Sequence, residues 1–281
     1  MTKKKIAWVT DSTATLSKDY IDKYNIHVVP MEIIFGDQSY REDIDITAED
    51  FYKKLSESKV LPKTSQPALG SFVNLYEQLK EEYEYAIAIH ASSALTGTYQ
   101  SSVSASQMAE FHSVEVIDSK IGSYPLGKMI QQGVEMEEQG KSYEEIVAYL
   151  RTLPDKAQLL MAPGSLEQLH KGGRLSSAQA IIGNLIQLKL IIKFDNGKVI
   201  MHDRIRTEKK VKLRLFEMFA EVAPQLKEAS VIHANEAEKA LQWKAELEQL
   251  YPHISFTTTM FSPVPGVHTG QGTMGLSWIT E

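Results

Sequence analysis

Residues 90–102 (His90-Ala91-Ser92-Ser93-Ala94-Leu95-Thr96-Gly97-Thr98-Tyr99-Gln100-Ser101-Ser102) crowd hydroxyl groups into one short stretch. Before it, Tyr85 to Ile89 is an apolar run suited to a buried strand. After it, Tyr99, Val103 and Met108 recur at helical spacing. The pattern predicts a strand, a tight loop and the first turn of a helix. Free backbone N–H groups and the positive dipole end of such a helix, flanked by hydroxyls, suit an anion. The residues themselves leave the identity of the anion open.

Other groups with chemical potential are scattered along the chain. His268 stands between Pro265-Gly266 and Gly270 in what reads as a loop, where functional residues concentrate. A structural role for it is equally open. Ser93 as nucleophile with His268 as base would make a lipid or ester hydrolase, although the GxSxG elbow of such enzymes is missing. Arg174 lies on a Gly-Gly turn, and Arg204 and Arg206 end a strand. The planar guanidinium fork suits phosphate or carboxylate, with solvated surface arginine as the alternative.

Two glycine patterns imitate nucleotide sites and fail on detail. Gly122-Ser123-Tyr124-Pro125-Leu126-Gly127-Lys128-Met129 approaches a P-loop, but Met129 replaces the magnesium-binding hydroxyl and Pro125 removes an N–H donor. Gly270-Gln271-Gly272-Thr273-Met274-Gly275 fits GxGxxG, yet too little chain follows for a helix and a ribose-binding acid. The eight histidines show no metal-ligand spacing, and Asp43 and Asp45 lack the rest of a calcium loop. No metal and no cofactor are expected.

The elements needed to position these residues alternate strand and helix. Ile6 to Val9 reads as a first strand, running into Thr10-Asp11-Ser12-Thr13. His27 to Ile34 reads as a second, Thr47 opens a capped helix, and Thr64-Ser65-Gln66-Pro67 reads as a loop. Strand Val114 to Ile117 ends in Asp118-Ser119. Three strands therefore finish in hydroxyl-rich tips, where open parallel sheets bind ligands. Beyond Leu153-Pro154-Asp155 the pattern turns more antiparallel, with Asp195-Asn196-Gly197 as a hairpin turn. The expectation is an α/β protein of two lobes, 1–155 with a mainly parallel sheet and 156–281 with a mixed or antiparallel one.

Size and composition agree with that architecture. The chain has 281 residues, 43% hydrophobic, with a net charge of -6 and no cysteine. Cores of ordinary size are affordable, whereas nucleic acid and anionic membrane lack the basic surface they require. Disulfides and thiolate chemistry are excluded. The beginning, Met1 to Val9, is too briefly apolar for a signal peptide, and no stretch approaches the roughly 18 residues of a membrane span. A cytoplasmic setting with at most transient membrane contact is expected.

Across nearly its whole length the chain resembles the DegV family. The resemblance is carried by Val9-Thr10-Asp11-Ser12-Thr13, Thr64-Ser65-Gln66-Pro67, Ser92 to Ser101, Asp118-Ser119, Gly172-Gly173-Arg174, Arg206-Thr207 and Gly266-Val267-His268-Thr269-Gly270. It departs from the family's usual pattern at Ala94, Thr96 and Gln271. The resemblance implies a two-lobed fold holding one long-chain fatty acid in an apolar tunnel between the lobes. It further implies a non-catalytic binding subunit that presents the carboxylate to a separate ATP-dependent fatty acid kinase subunit, giving acyl phosphate for phospholipid synthesis. A lipid-sensing interaction protein without a kinase is the other reading.

By the same resemblance Thr64, Ser65, Ser93 and His268 are carboxylate-binding residues. Asp11, Ser12, Ser92, Thr96, Gly97, Asp118, Ser119, Thr269 and Gly270 form the supporting loops. Arg174, Arg204 and Arg206 face the kinase or a phosphate. The hydroxyl-rich, base-poor loop suggests a carboxylate held without a fixed positive charge.

Overall fold

A computed structural model describes residues 4–175 and 188–280. The first half contains β1 (Lys4–Asp11), α1 (Lys18–Tyr24), β2 (His27–Val29), β3 (Glu32–Phe35), β4 (Gln38–Arg41), α2 (Ala48–Glu57), β5 (Lys63–Ser65) and α3 (Leu69–Glu82). It continues through β6 (Tyr83–His90), α4 (Thr98–Met108), β7 (Val114–Asp118), α5 (Ser123–Glu138) and α6 (Tyr143–Leu150). Its main sheet is parallel throughout, in the order β2-β1-β6-β7.

Strand alternation explains how that sheet is covered on both faces. Ala7 and Val9 of β1 pack with Phe72, Tyr76 and Ala105 of α3 and α4. Ile6 and Trp8, pointing the other way, join Met129, Ile130 and Leu150 of α5 and α6. Small residues let α4 approach closely: Ser101, Ser102 and Ala105 are buried, and Ser102 shares a 2.5 Å hydrogen bond with Tyr76.

The second half contains β8 (Ala157–Ala162), α7 (Leu166–Lys171), β9 (Lys189–Asp195), β10 (Lys198–Ile205), α8 (Glu208–Ala220), β11 (Glu228–His233), α9 (Ala237–Leu250), β12 (Ser255–Met260), α10 (Pro263–Thr269) and β13 (Met274–Ile279). Among the described residues its sheet runs β10-β9-β8-β13-β11-β12, antiparallel except for the β11–β12 pair. The β9–β10 turn is the expected tight hairpin, with Asn196 and Gly197 both at positive φ. Here too alternation sorts the side chains. Leu160 and Ile191 face the core under α8 and α9, while Leu159, Met161 and Ile192 turn toward the first half.

Two local expectations are corrected. The run His27 to Ile34 is not one strand: Pro30 lies at the break, and β3 leaves the parallel sheet to form a separate antiparallel sheet, β4-β3-β5. Thr64 and Ser65, expected in a loop, are strand residues of that small sheet, with Thr64 opposite Ile33. Pro67 follows only after the strand has ended.

Candidate functional site

A cavity of about 700 Å³ lies where the three sheets converge, within the usual size range for small-molecule sites. Leu159 and Met161 of β8, Ile192 and Phe194 of β9, Val199 of β10 and Met31 supply much of its apolar wall. The alternation that turned these side chains away from the α8–α9 core places them here. Thr64, Ser65, Ser93, Thr96, His268 and Thr269 line the same cavity. The four expected carboxylate ligands, the outermost two of them 204 residues apart in sequence, are therefore brought to one space.

Each hydroxyl has a distinct setting. Thr64 Oγ1 lies 2.9 Å from His268 Nε2. Ser65 donates to the carbonyl of Gln66 at 3.1 Å. Ser93 is exposed and donates to Asp118 Oδ2 at 2.5 Å, while its backbone N–H reaches Asp118 Oδ1 at 3.2 Å. His268 is not in a loop but in the last turn of the short helix α10. Burial, assisted by the nearby positive charge of Arg174, holds its imidazole down to about 4. The ring is neutral at physiological pH, and its Nδ1 is buried without a partner.

This pairing pattern bears on the hydrolase alternative. The Ser93 hydroxyl is turned to Asp118, and His268 Nε2 is turned to Thr64. Neither bond makes His268 the base for Ser93, which a serine nucleophile requires.

The supporting loops brace the cavity more than they line it. Thr96, Gly97 and Thr269 do form part of the wall, but Asp11, Ser12, Ser92, Asp118, Ser119 and Gly270 stand behind it. Asp11 is fully buried and accepts from Thr13 N–H, Thr13 Oγ1 and Ala91 N–H, with His90 Nδ1 at 3.3 Å. Burial alone would raise its carboxyl, but His90 and these donors bring it below the usual range. Ser92 donates at 2.7 Å to the carbonyl of Gly197, tying the loop to the β9–β10 turn. Ser119 folds onto the carbonyl of Ile121, and Gly270 caps α10 at positive φ.

The strand, turn and helix follow one another as expected. Helix α4 begins at Thr98, with Gly97 at its cap, so Ser92 and Ser93 belong to a preceding turn held by the Ser92 carbonyl. The hydroxyl floor is thus a braced turn, not the helix N-terminus itself. A Cβ at Gly97 would meet Gln66 Oε1 at 2.0 Å, so a larger residue there would displace the amide that Ser101 holds.

One fixed positive charge does reach the cavity wall. Arg174 is half-buried, lines the cavity and donates to the carbonyl of Gly172 at 2.7 Å. Arg204 and Arg206 do not line it; both are exposed at the end of β10. The nucleotide imitations resolve as structural pieces. Lys128 pairs with Glu228 from within α5, and the glycines at 270–275 lead into β13 instead of a helix. Among the described residues no group of three His, Asp or Glu is placed to hold a metal ion, and no helix is long and apolar enough to cross a membrane.

Residues that sequence reasoning passed over also matter. Ser101, in the body of α4, accepts from Gln66 Nε2 at 2.7 Å and so fixes the β5–α3 loop beside Gly97. Glu42 is 1% exposed and accepts from Ser12 Oγ and, at 2.9 Å, from the N–H of Val264. A contact across 222 residues leaves no local signal.

Comparison with known proteins agrees with this architecture. A family model described as "Uncharacterised protein, DegV family" matches residues 5–281. The chain is 38% identical over 280 residues to a DegV domain-containing protein of Halalkalibacterium halodurans, covering 99% of each chain. The crystal structure of DegV from Bacillus subtilis, described as a fatty acid binding protein, superposes with a TM-score of 0.90 at 37% identity, covering 99% of both chains. A stearic-acid-binding protein from Eubacterium ventriosum gives a TM-score of 0.89 at 26% identity, covering 98% of each. With the match running the length of the fold and through every sheet that builds the cavity, this chain belongs to the DegV family.

Proposed function

We propose that the protein binds one long-chain fatty acid, with the tail in the apolar part of the cavity and the carboxylate among Thr64, Ser65, Ser93 and His268. The observation that carries this reading is the composition of the wall, which combines aliphatic and aromatic side chains with a cluster of hydroxyls and a neutral histidine. Fatty-acid-binding relatives of the same fold support it. Each buried methylene contributes ~0.8 kcal/mol, so a sixteen-carbon tail offers roughly 10 kcal/mol before ordering costs. The carboxylate must recover its lost hydration through several donors, or much of that gain is cancelled.

The finer part of the proposal is that the bound acid is presented to a separate ATP-dependent kinase subunit, which forms the acyl phosphate. Ser93 and Arg174 at the cavity are assigned to the face that meets that partner or the transferred phosphate, and Arg204 and Arg206, exposed at the end of β10 away from the turn beside Ser92, to the docking of the same partner. The chain itself acts as a carrier, because phosphoryl transfer needs a phosphate cradle and bound magnesium, and Lys128 is committed to Glu228.

The test is to incubate pure protein with palmitate and ATP, with and without such a kinase subunit. Acyl phosphate only in the complete mixture supports the proposal. Product from the protein alone, or turnover of ester substrates lost in Ser93→Ala, contradicts it. In the complete system Ser93→Ala should reduce phosphorylation more than binding, since the tail supplies most of the affinity.

A further inference from the structure

Glu42 sits at a junction that the binding reading does not use. One carboxylate oxygen accepts from the N–H of Val264, in the first turn of α10, and the other accepts from Ser12 Oγ. Ser12 in turn accepts from the N–H of Met31 at 3.0 Å. A single buried side chain therefore joins the turn after β1, the break between β2 and β3, and the helix that carries Val264, Pro265, His268 and Thr269 into the cavity wall. The N-cap residue of α10, Ser262, makes no side-chain capping hydrogen bond of its own.

We propose that Glu42 is a positioning residue for α10, and that loss of its charge loosens that helix and weakens the grip of the cavity on its ligand. The ligand part of this inference rests on the fatty-acid reading above. In the ionised form both oxygens accept, which matches the two donors aimed at them. A protonated Glu42 must donate to Ser12, whose own hydroxyl proton then loses its acceptor. The bond that fixes α10 is weakened with it, because a charged acceptor binds an N–H more strongly than a neutral one.

The surroundings place this change near neutrality. Burial pushes Glu42 up to about 7, against the hydrogen bonds from Ser12 and Val264, and the charge of Asp43 adds to the rise. From the other elements packed around it come Tyr52 of α2, itself raised by burial and by Glu42, and the Ser262 hydroxyl at the cap of α10. Asp11, the last residue of β1, is engaged by His90. Among the described residues no cation forms an ion pair with Glu42. His268 titrates near 4, outside the same window.

The experiment has two arms on the full chain. In the first, the Val264 amide is followed by ¹H–¹⁵N NMR from pH 5.5 to 8.5 without ligand, in wild type and Glu42→Gln. A midpoint near 7 that vanishes in the variant is expected; a flat wild-type curve overturns the proposal. In the second, palmitate affinity is measured over the same range. Wild type should lose about five-fold toward acid, and Glu42→Gln should stay at the weaker level throughout. Since the same acid is used for both proteins, its own ionisation cancels in the comparison.

Identical pH profiles in the two proteins overturn the coupling. By reciprocity, saturating palmitate should also move the wild-type amide midpoint acidward by about 0.7 pH unit for a five-fold effect. Absence of palmitate binding at every pH would instead contradict the fatty-acid reading, and the amide titration would still judge the role of Glu42. Should Glu42→Gln fail to fold, the wild-type amide curve and Glu42→Asp, which keeps the charge on a shorter arm, decide the matter.

Discussion

His268 and Glu42 hold opposite pH terms at the two ends of one short helix, and their cancellation is measurable. The imidazole is depressed from its ordinary 6.5 to about 4 by burial and Arg174. Its contribution to stability is fully present above pH 6.5 and is lost as pH falls through 4. The carboxyl of Glu42 is raised from 4.5 to about 7. Its contribution is fully present below pH 4.5 and is lost as pH rises through 7. Between pH 7 and 5 the histidine costs about 2 kcal/mol and the glutamate returns about 2 kcal/mol.

Urea unfolding at pH 5, 6 and 7 reads these terms as differences from wild type. Glu42→Gln should fall behind wild type by about 2 kcal/mol on going from pH 7 to 5. His268→Gln should gain by a similar amount over the same range, and the double variant should track wild type. The many other titrating groups drop out because only slopes relative to wild type are compared. Parallel curves for all four proteins would refute the reasoning, since they would mean that neither group is held in the environment described.

Other predictions concern the cavity and its frame. Shortening a saturated fatty acid by two methylenes should cost about 1.6 kcal/mol, or roughly 15-fold in Kd by displacement titration; equal affinity from ten to sixteen carbons would mean that the tail is not enclosed. Gly164→Ala should destabilise the fold by about 2 kcal/mol, because its Cβ would stand 1.9 Å from the carbonyl oxygen of Gln271, and thermal unfolding checks this. Ser92→Ala should loosen the link to Gly197 and raise hydrogen exchange in the β9–β10 turn, leaving the parallel sheet protected.

The legible parts of the fold were those written in short-range patterns. Apolar runs at Ile6 to Val9 and Val114 to Ile117 marked parallel strands, and Asp195-Asn196-Gly197 marked its hairpin because the turn demands positive φ at two residues. What failed depended on distant partners. Thr64 and Ser65 became a strand only because β3, freed after Pro30, offered an edge for pairing. His268 looked like a loop residue because prolines and glycine surround it, yet Pro263 and Pro265 fall in the first turn of α10, where their missing N–H groups cost little.

At the site the residue types were readable and their wiring was not. The hydroxyl stretch pointed to an anion, but only the fold shows that Ser92 leans on Gly197 while Ser93 turns to Asp118. Arg174 was visible as a cation on a turn, and its place in the cavity wall depends on strands that follow it. Glu42 gave no sign at all, since its partners are Ser12 and Val264.

The most direct test is a crystal structure of the protein with palmitate. The account predicts the tail against Met31, Leu159, Ile192 and Val199, and the carboxylate within hydrogen-bonding distance of Thr64, Ser93 or His268. An empty cavity, or an acid bound with its carboxylate among the aliphatic residues and its methyl end at the hydroxyls, would contradict it.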